Sequence, residues 1–327
     1  MKSRARRPRI NAPLASAKKT RRPVVTFRAT ATGLLLLVVA VVLYSFGTLW
    51  TSIAPRTRRR FPIITYAALG QVHTGQLGNQ MFQLASTVGL ALDHGLPFDF
   101  LRQIETIQIG QVFDIRGNLT VADVSQAIPV NEENLNHQRF ILPTSGSYVS
   151  IGGYLQSPLY FAHHGEYIRR LFSIRPHLLD QALPKMPEVF DADTACLHVR
   201  RGDYVQLSHI YTQLDGNYYE RALSSMPNIS KVVVMSNDVE WCRNEFKGLP
   251  YEFLYSSASF LHDFTLLSQC SNIVIANSSF SWWAAFLNTR VKRVVAPVPW
   301  YKLDGPLAYA NTDDMYLPEW HVINAHL

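Results

Sequence analysis

Short, mostly apolar runs recur in the second half of the chain, at residues 195–199, 231–235, 273–276 and 291–297. Between them stand stretches with helical spacing, at 218–226, 239–246, 260–270 and 280–288. Buried strands alternating with helices predict a parallel, doubly wound sheet. In such a sheet ligands bind beyond the carboxyl ends of the strands, so the residues that follow each run are where chemistry is expected. The first half repeats the pattern less clearly. An apolar, β-branched run at 61–68 predicts a strand, a loop carrying Gly75 and Gly78 follows it, and Met81, Leu84, Ala85, Val88 and Leu92 then fall at helical spacing. Residues 97–145 are irregular, with 97–100 as a possible strand, and 148–155 reads as extended. The 280–288 stretch is apolar nearly all round, so Trp282 and Trp283 read as core rather than as ligand platforms.

A different apolar run lies at the front. Residues 29–54 carry no charge, ten Lys or Arg and no acid precede them, and Arg56, Arg58, Arg59 and Arg60 follow. A helix needs about 20 mainly apolar residues to cross a bilayer, and this run reaches that length. The heavier positive charge in front keeps the N-terminus cytosolic and sends the rest to the lumen. A mitochondrial presequence is the weaker alternative; a cleaved signal peptide fits the late, long run less well. The overall charge of +7 hides an asymmetry: residues 1–60 hold +14, which leaves −7 for 61–327, so a basic nucleic-acid-binding surface is not supported. Cys196, Cys242 and Cys270 are too few for a disulfide framework or a paired-cysteine zinc site; buried free thiols are expected, with one bridge at most. Asn118, Asn228 and Asn277 each begin an Asn-X-Ser/Thr triplet, and Asn118 and Asn228 are the better acceptors because they neighbour turn-like residues.

Candidate chemistry follows the predicted strands. The segment Cys196-Leu197-His198-Val199-Arg200-Arg201-Gly202-Asp203-Tyr204 drives an apolar strand into two arginines, a glycine and an aspartate. Arginine's planar fork matches phosphate oxygens, and Gly202 lets the backbone approach a ligand, so a diphosphate suits this turn. A surface turn whose arginines merely pair with carboxylates is the competing reading. Ser236-Asn237 follows the next strand, and Asn277-Ser278-Ser279 follows the third and opens a helix, where an anion is favoured. Simple capping by Ser278 or Ser279 explains those hydroxyls equally well. The Gly75-Gln76-Leu77-Gly78-Asn79-Gln80 loop has neither the dinucleotide fingerprint nor the Walker lysine. Asp191-Ala192-Asp193 imitates a metal-binding pair but precedes its strand, which puts it at the end opposite the ligand. Asp313-Asp314 reads as a solvated turn.

Four segments, 75–83, 198–204, 236–242 and 277–283, occur in the order and near the spacing found in galactoside α1,2-fucosyltransferases, and the resemblance, to what is called glycosyltransferase family 11, covers about residues 70 to 300. It implies an α/β fold of the GT-B kind with two Rossmann-like domains behind a single N-terminal transmembrane helix: a cytosolic tail (1–28), a signal anchor (29–54), a short stem (55–60), an N-terminal catalytic subdomain (61–189) and a C-terminal donor-nucleotide subdomain (190–327). The implied reaction is inverting transfer of L-fucose from GDP-fucose to the 2-hydroxyl of a galactose residue in a glycan, at the Golgi membrane, with arginine in place of a metal ion and no cofactor. Arg200, Arg201, Asp203 and His73 are then the catalytic candidates, with Asp203 and His73 as alternative bases or Asp203 as a buttress to the arginines. His198, Gly202, Ser236, Asn237, Asp263, Asn277, Ser278 and Ser279 are donor-binding candidates, and Gly78, Asn79 and Gln80 border the cleft. A fucosyltransferase with another acceptor or compartment, or a membrane-anchored glycan binder without turnover, stays open. The acceptor pocket is expected from 97–145 and 204–217, which carry no readable motif.

Overall fold

The structure, a computed structural model, describes residues 61–71, 75–256 and 259–326. Its main sheet has six parallel strands, β4 (Thr194–Val199), β5 (Lys231–Ser236), β6 (Glu252–Ser256), β7 (Asn272–Val274), β8 (Arg293–Val298) and β9 (His321–Asn324), in the order β6-β5-β4-β7-β8-β9. Counted within this sheet, that is the 3-2-1-4-5-6 order of doubly wound nucleotide-binding sheets. Every residue of β4 is buried, as a central strand covered on both faces requires, and Leu197 pairs with Val234 on one side and Val274 on the other.

A smaller parallel sheet holds β1 (Ile63–Thr65), β2 (Ile128–Asn131) and β3 (Tyr148–Gly152) in the order β1-β3-β2. Its helices are α1 (Leu77–Asp93), α2 (Gln108–Val112), α3 (Val121–Val124), α4 (Gly165–Leu171) and α5 (Pro176–Ala182). Around the main sheet lie α6 (Asp203–Gln206), α7 (Gly216–Ser224), α8 (Val239–Glu245), α9 (Phe260–Leu267) and α10 (Ser279–Leu287).

Helix α1 is buried along nearly its whole length because it packs on α10, on the turn at Pro158–Tyr160 and on β1. Phe82 lies 4.7 Å from Trp282 and 5.1 Å from Trp283, ring centre to ring centre, and Phe161 stacks on Trp283 at 5.1 Å. Both tryptophans are fully buried, in keeping with their reading as core. The strand and helix expectations of the second half hold to within a few residues, except that β6 and β9 were not anticipated. Residues 97–100 form only a single bridge, Ile64 to Phe98, and β2 lies inside the stretch read as irregular.

The expectation of free thiols is corrected at two positions. Cys196 and Cys270 form a disulfide across a Cα separation of 6.1 Å, and Cys242 is free and buried. The bridge is possible because β7, which starts two residues after Cys270, lies directly beside β4. No helix among the described residues is long and apolar enough to cross a membrane. The expected tail, anchor and stem, residues 1–60, lie outside the described residues.

Candidate active site

The strand order reverses between β4 and β7, and a cleft of about 640 Å³ opens at their carboxyl ends. It is lined by Gly78, Asn79 and Gln80 from the start of α1, His198 near the end of β4 with Arg200 and Asp203 after it, Ser236 at the end of β5 with Asn237 after it, Asp263 from α9, and Ser278 and Ser279 at the start of α10. Residues chosen from five separate stretches of sequence thus meet in one crevice.

Two helix starts touch there. A Cβ on Gly78 would lie 2.5 Å from the Ser279 carbonyl carbon and 2.6 Å from the Phe280 nitrogen, so only glycine lets α1 and α10 approach this closely. Asn79 Oδ1 accepts hydrogen bonds from Ser279 Oγ at 2.7 Å and from Gln156 Nε2 at 2.8 Å, which pins the contact. Ser278 is the N-cap residue of α10, yet its side chain makes no capping bond. The simple-capping account therefore fails for Ser278, and the positive ends of both helices face the cleft, the Leu77 amide of α1 being taken by Gln108 Oε1 at 2.6 Å.

Arg200 is mostly buried. Its Nη2 lies 2.8 Å from Asp203, its guanidinium stands 5.3 Å from the centre of the Tyr204 ring, and its Nε is buried with no partner among the described residues. His198 is buried with an unpartnered Nδ1, and burial, then the positive charge of Arg200, push its pKa down to about 3, so the ring is neutral near pH 7. Both atoms stand beside the cleft, where a bound ligand would complete them. Asp263 is the opposite case: burial raises its pKa to about 7 against a hydrogen bond donated by Ser256.

Other selected residues do not line the cleft. Arg201 turns away, donating from Nε to Asp238 at 3.1 Å and lying 4.1 Å over the Trp241 ring, while its backbone N–H donates to Asn237 Oδ1. Gly202 has φ +52, and a Cβ there would meet Asn237 Nδ2 at 2.4 Å, so it shapes the turn. Asn277 is buried, with Nδ2 donating to the Thr212 and Trp300 carbonyls, which makes it a strut and removes it as a glycosylation acceptor. Asn118 and Asn228 are exposed; the Asn118 amide already donates to Asp99. His73 lies outside the described residues.

The cleft also takes in Gln108, Gln156, Tyr204 and Tyr211, none of them among the residues selected from sequence. Tyr204 stood inside the arginine motif and could have been chosen from it; the other three carry no local signal. Asp191 and Asp193 stand at the amino end of β4, where Asp191 accepts from Lys231 Nζ at 2.8 Å. Among the described residues, Asp93, His163 and His164 converge closely enough to hold a metal ion, but Asp93 closes α1 at the end away from the cleft.

A family model described as glycosyl transferase family 11 matches residues 62–324. The O-antigen biosynthesis glycosyltransferase WbnK of Escherichia coli is 34% identical over 162 residues, which is 45% of this chain and 54% of that protein, so the chain spans about half the length of that relative. Galactoside alpha-(1,2)-fucosyltransferase 2 of Oryctolagus cuniculus is 28% identical over 281 residues, 77% of this chain and 76% of that protein. Among solved structures, fucosyltransferase NodZ from Bradyrhizobium overlays with a TM-score of 0.48 at 14% identity, covering 73% of this chain and 94% of that one. Since the family model spans most of the sequence, the chain belongs to glycosyl transferase family 11.

Proposed function

We propose that the protein transfers L-fucose from GDP-fucose to the 2-hydroxyl of a galactose residue, inverting the anomeric centre, in a GT-B type fold divided near residue 190. The observation that carries this is the convergence of Arg200 with the starts of α1 and α10 on one cleft at the switch point of a nucleotide-binding sheet. Helix N-termini and an arginine fork are what a diphosphate requires.

In this reading the acceptor oxygen forms a bond to fucose C1 while the bond from C1 to the β-phosphate oxygen breaks, and the electron pair leaves with GDP. Negative charge grows on that phosphate. Arg200 and the helix amides stand where the charge develops, and being fixed in advance they need no reorganisation. Neutral His198 adds a hydrogen-bonding nitrogen without competing for protons. The acceptor proton passes to solvent or to Asp203, whose carboxylate holds Arg200 and lines the same cleft. No metal is invoked, because arginine supplies the positive charge. Asp263 is placed to accept from the N–H edge of the guanine.

We further propose a type II Golgi membrane protein anchored by 29–54, with N-glycans at Asn118 or Asn228. The Cys196–Cys270 bridge supports an oxidising lumen over a mitochondrial compartment.

The test is transfer of labelled fucose from GDP-fucose to a panel of β-galactosides by the full-length chain, with and without EDTA. An α1,2-linked product formed in EDTA is the expected result. Another linkage would overturn the regiochemistry, dependence on added metal would overturn the arginine mechanism, and GDP-fucose binding without transfer would leave a glycan binder.

A further inference from the structure

The cleft lining is of two chemical kinds. Arg200 and the helix starts with their hydroxyls offer themselves to an anion. The same cleft is also lined by Tyr204, Leu207, Tyr211, Trp300 and Gln156, and Arg200 is the single Lys or Arg among its described lining residues. A ladder of rings leads there: Tyr204 and Tyr211 are 4.0 Å apart, and Tyr211 and Tyr301 are 5.7 Å apart. Tyr211 is half-buried and forms an antiparallel bridge with Tyr301, and Lys302 N donates to the Ile210 carbonyl at 2.8 Å, so the ring is mounted on paired backbone.

Gln156 is held just as firmly. Its Oε1 accepts from Tyr301 Oη at 3.3 Å and its Nε2 donates to Asn79 Oδ1 at 2.8 Å, leaving a second amide N–H and a lone pair for a ligand. The residue before it, Leu155, is fully buried at φ +54, a backbone state that L-residues rarely adopt, and its N–H donates to Glu132 Oε2 at 3.0 Å. Strain of this kind persists where the surroundings over-determine it, and here it aims the next side chain into the cleft.

We infer that Tyr211 and Gln156 form the acceptor subsite, Tyr211 stacking on the C–H face of a neutral galactopyranoside and Gln156 taking one of its hydroxyls. This rests on the fucosyl-transfer reading above. An aromatic face with two side-chain torsions supplies contact area at small entropic cost, and a fixed amide tells one hydroxyl pattern from another. Asp203, which lines the same cleft, disfavours acidic sugars.

The experiment measures initial rates of the full-length chain with GDP-fucose and a neutral β-galactoside varied independently, together with GDP binding by calorimetry. Tyr211→Ala should raise the acceptor KM about tenfold or more, the equivalent of losing one good stacking contact, with the donor KM and GDP affinity held within about twofold. Tyr211→Phe keeps the face and should keep the acceptor KM, and Gln156→Ala should alter the ranking of galactosides that differ at one hydroxyl. An unmoved acceptor KM in Tyr211→Ala, a Phe variant as impaired as the Ala variant, or a loss of GDP affinity equal to the loss of acceptor affinity would overturn the assignment. Wild-type protein is read first: failure there to transfer fucose to any galactoside counts against the activity itself, whereas transfer unaffected by these variants counts against the subsite alone.

Discussion

Arg200 shows how much one side chain carries. Asp203 and Tyr204 position its fork, and its buried Nε lacks a partner that a phosphate oxygen would provide. Arg200→Ala should lower kcat about 100- to 1,000-fold, the cost of removing one donor from a preorganised oxyanion site, and Arg200→Lys should recover only part of it because a point charge cannot replace the fork. Unchanged thermal unfolding in both variants separates this from a folding defect; turnover near wild type would remove Arg200 from the mechanism. Asp263 makes a pH-dependent prediction. Burial keeps it protonated up to about pH 7 in the free protein, whereas a guanine edge offers it donors and needs the ionised form. Donor affinity should therefore rise by about tenfold from pH 6 to pH 8, following the ionised fraction. GDP-fucose is the ligand to titrate, since the terminal phosphate of GDP itself ionises near pH 6. A flat profile in Asp263→Asn is expected, and an equally steep one would assign the proton elsewhere.

Helices α1 and α10 make a site only because they touch at their starts, and Gly78 is the point of contact. In Gly78→Ala the new methyl would collide with the backbone of Ser279 and Phe280, so one helix must move. The expected penalty is about 1–3 kcal/mol in urea unfolding, as for other overpacked contacts, together with weaker GDP-fucose binding. Loss of stability with donor affinity intact would mean that the two helix starts do not act together. The buried strands β4, β5, β7 and β8 and their helices were readable because double-sided burial demands continuous apolar runs. The edges were not: β2 carries Pro129, β9 is largely exposed, and β6 is half-exposed, so burial imposes little pattern on them. Adjacent arginines could not reveal which one faces the ligand, because the turn sends Arg200 to the cleft and Arg201 to Asp238. Gln156 and Tyr211 arrive from loops and acquire their roles only when distant segments meet. The disulfide was hidden for the same reason: strand adjacency, not sequence spacing, brings together two cysteines 74 positions apart.

On the scale of the whole molecule, three buried groups set how stability depends on pH. Burial raises both Asp263 and Glu132 to about 7, in Glu132 against hydrogen bonds from the Leu155 and Tyr154 amides, while His198 is lowered to about 3. Between pH 5 and 6.5 the folded protein therefore holds two carboxyl protons that the unfolded chain has released, and the unfolded chain holds one histidine proton that the folded protein excludes. The carboxyls alone make stability fall as pH rises, and the histidine alone makes it rise. The balance is close to one extra proton on the folded state, so the unfolding free energy should fall by about 1.4 kcal/mol per pH unit across this window. Asp93, whose partial desolvation is outweighed by hydrogen bonds to His163 and His164, Asp123, held low by the Thr120 amide, and Asp193, held low by the Ser230 hydroxyl, do not enter: their contribution is complete above the ordinary carboxylate range and is lost only in stronger acid. Urea midpoints at pH 5, 6 and 7 test this. Glu132→Gln should flatten the slope, and Glu132→Gln with Asp263→Asn should reverse its sign, because His198 then acts alone. A double variant that keeps the wild-type slope would show that other groups hold those protons. If the donor's guanine pairs with Asp263 as proposed, bound donor should work against the same slope by favouring the ionised carboxylate: mild acid then stabilises the empty protein, and added GDP-fucose should raise the unfolding midpoint more at pH 8 than at pH 6.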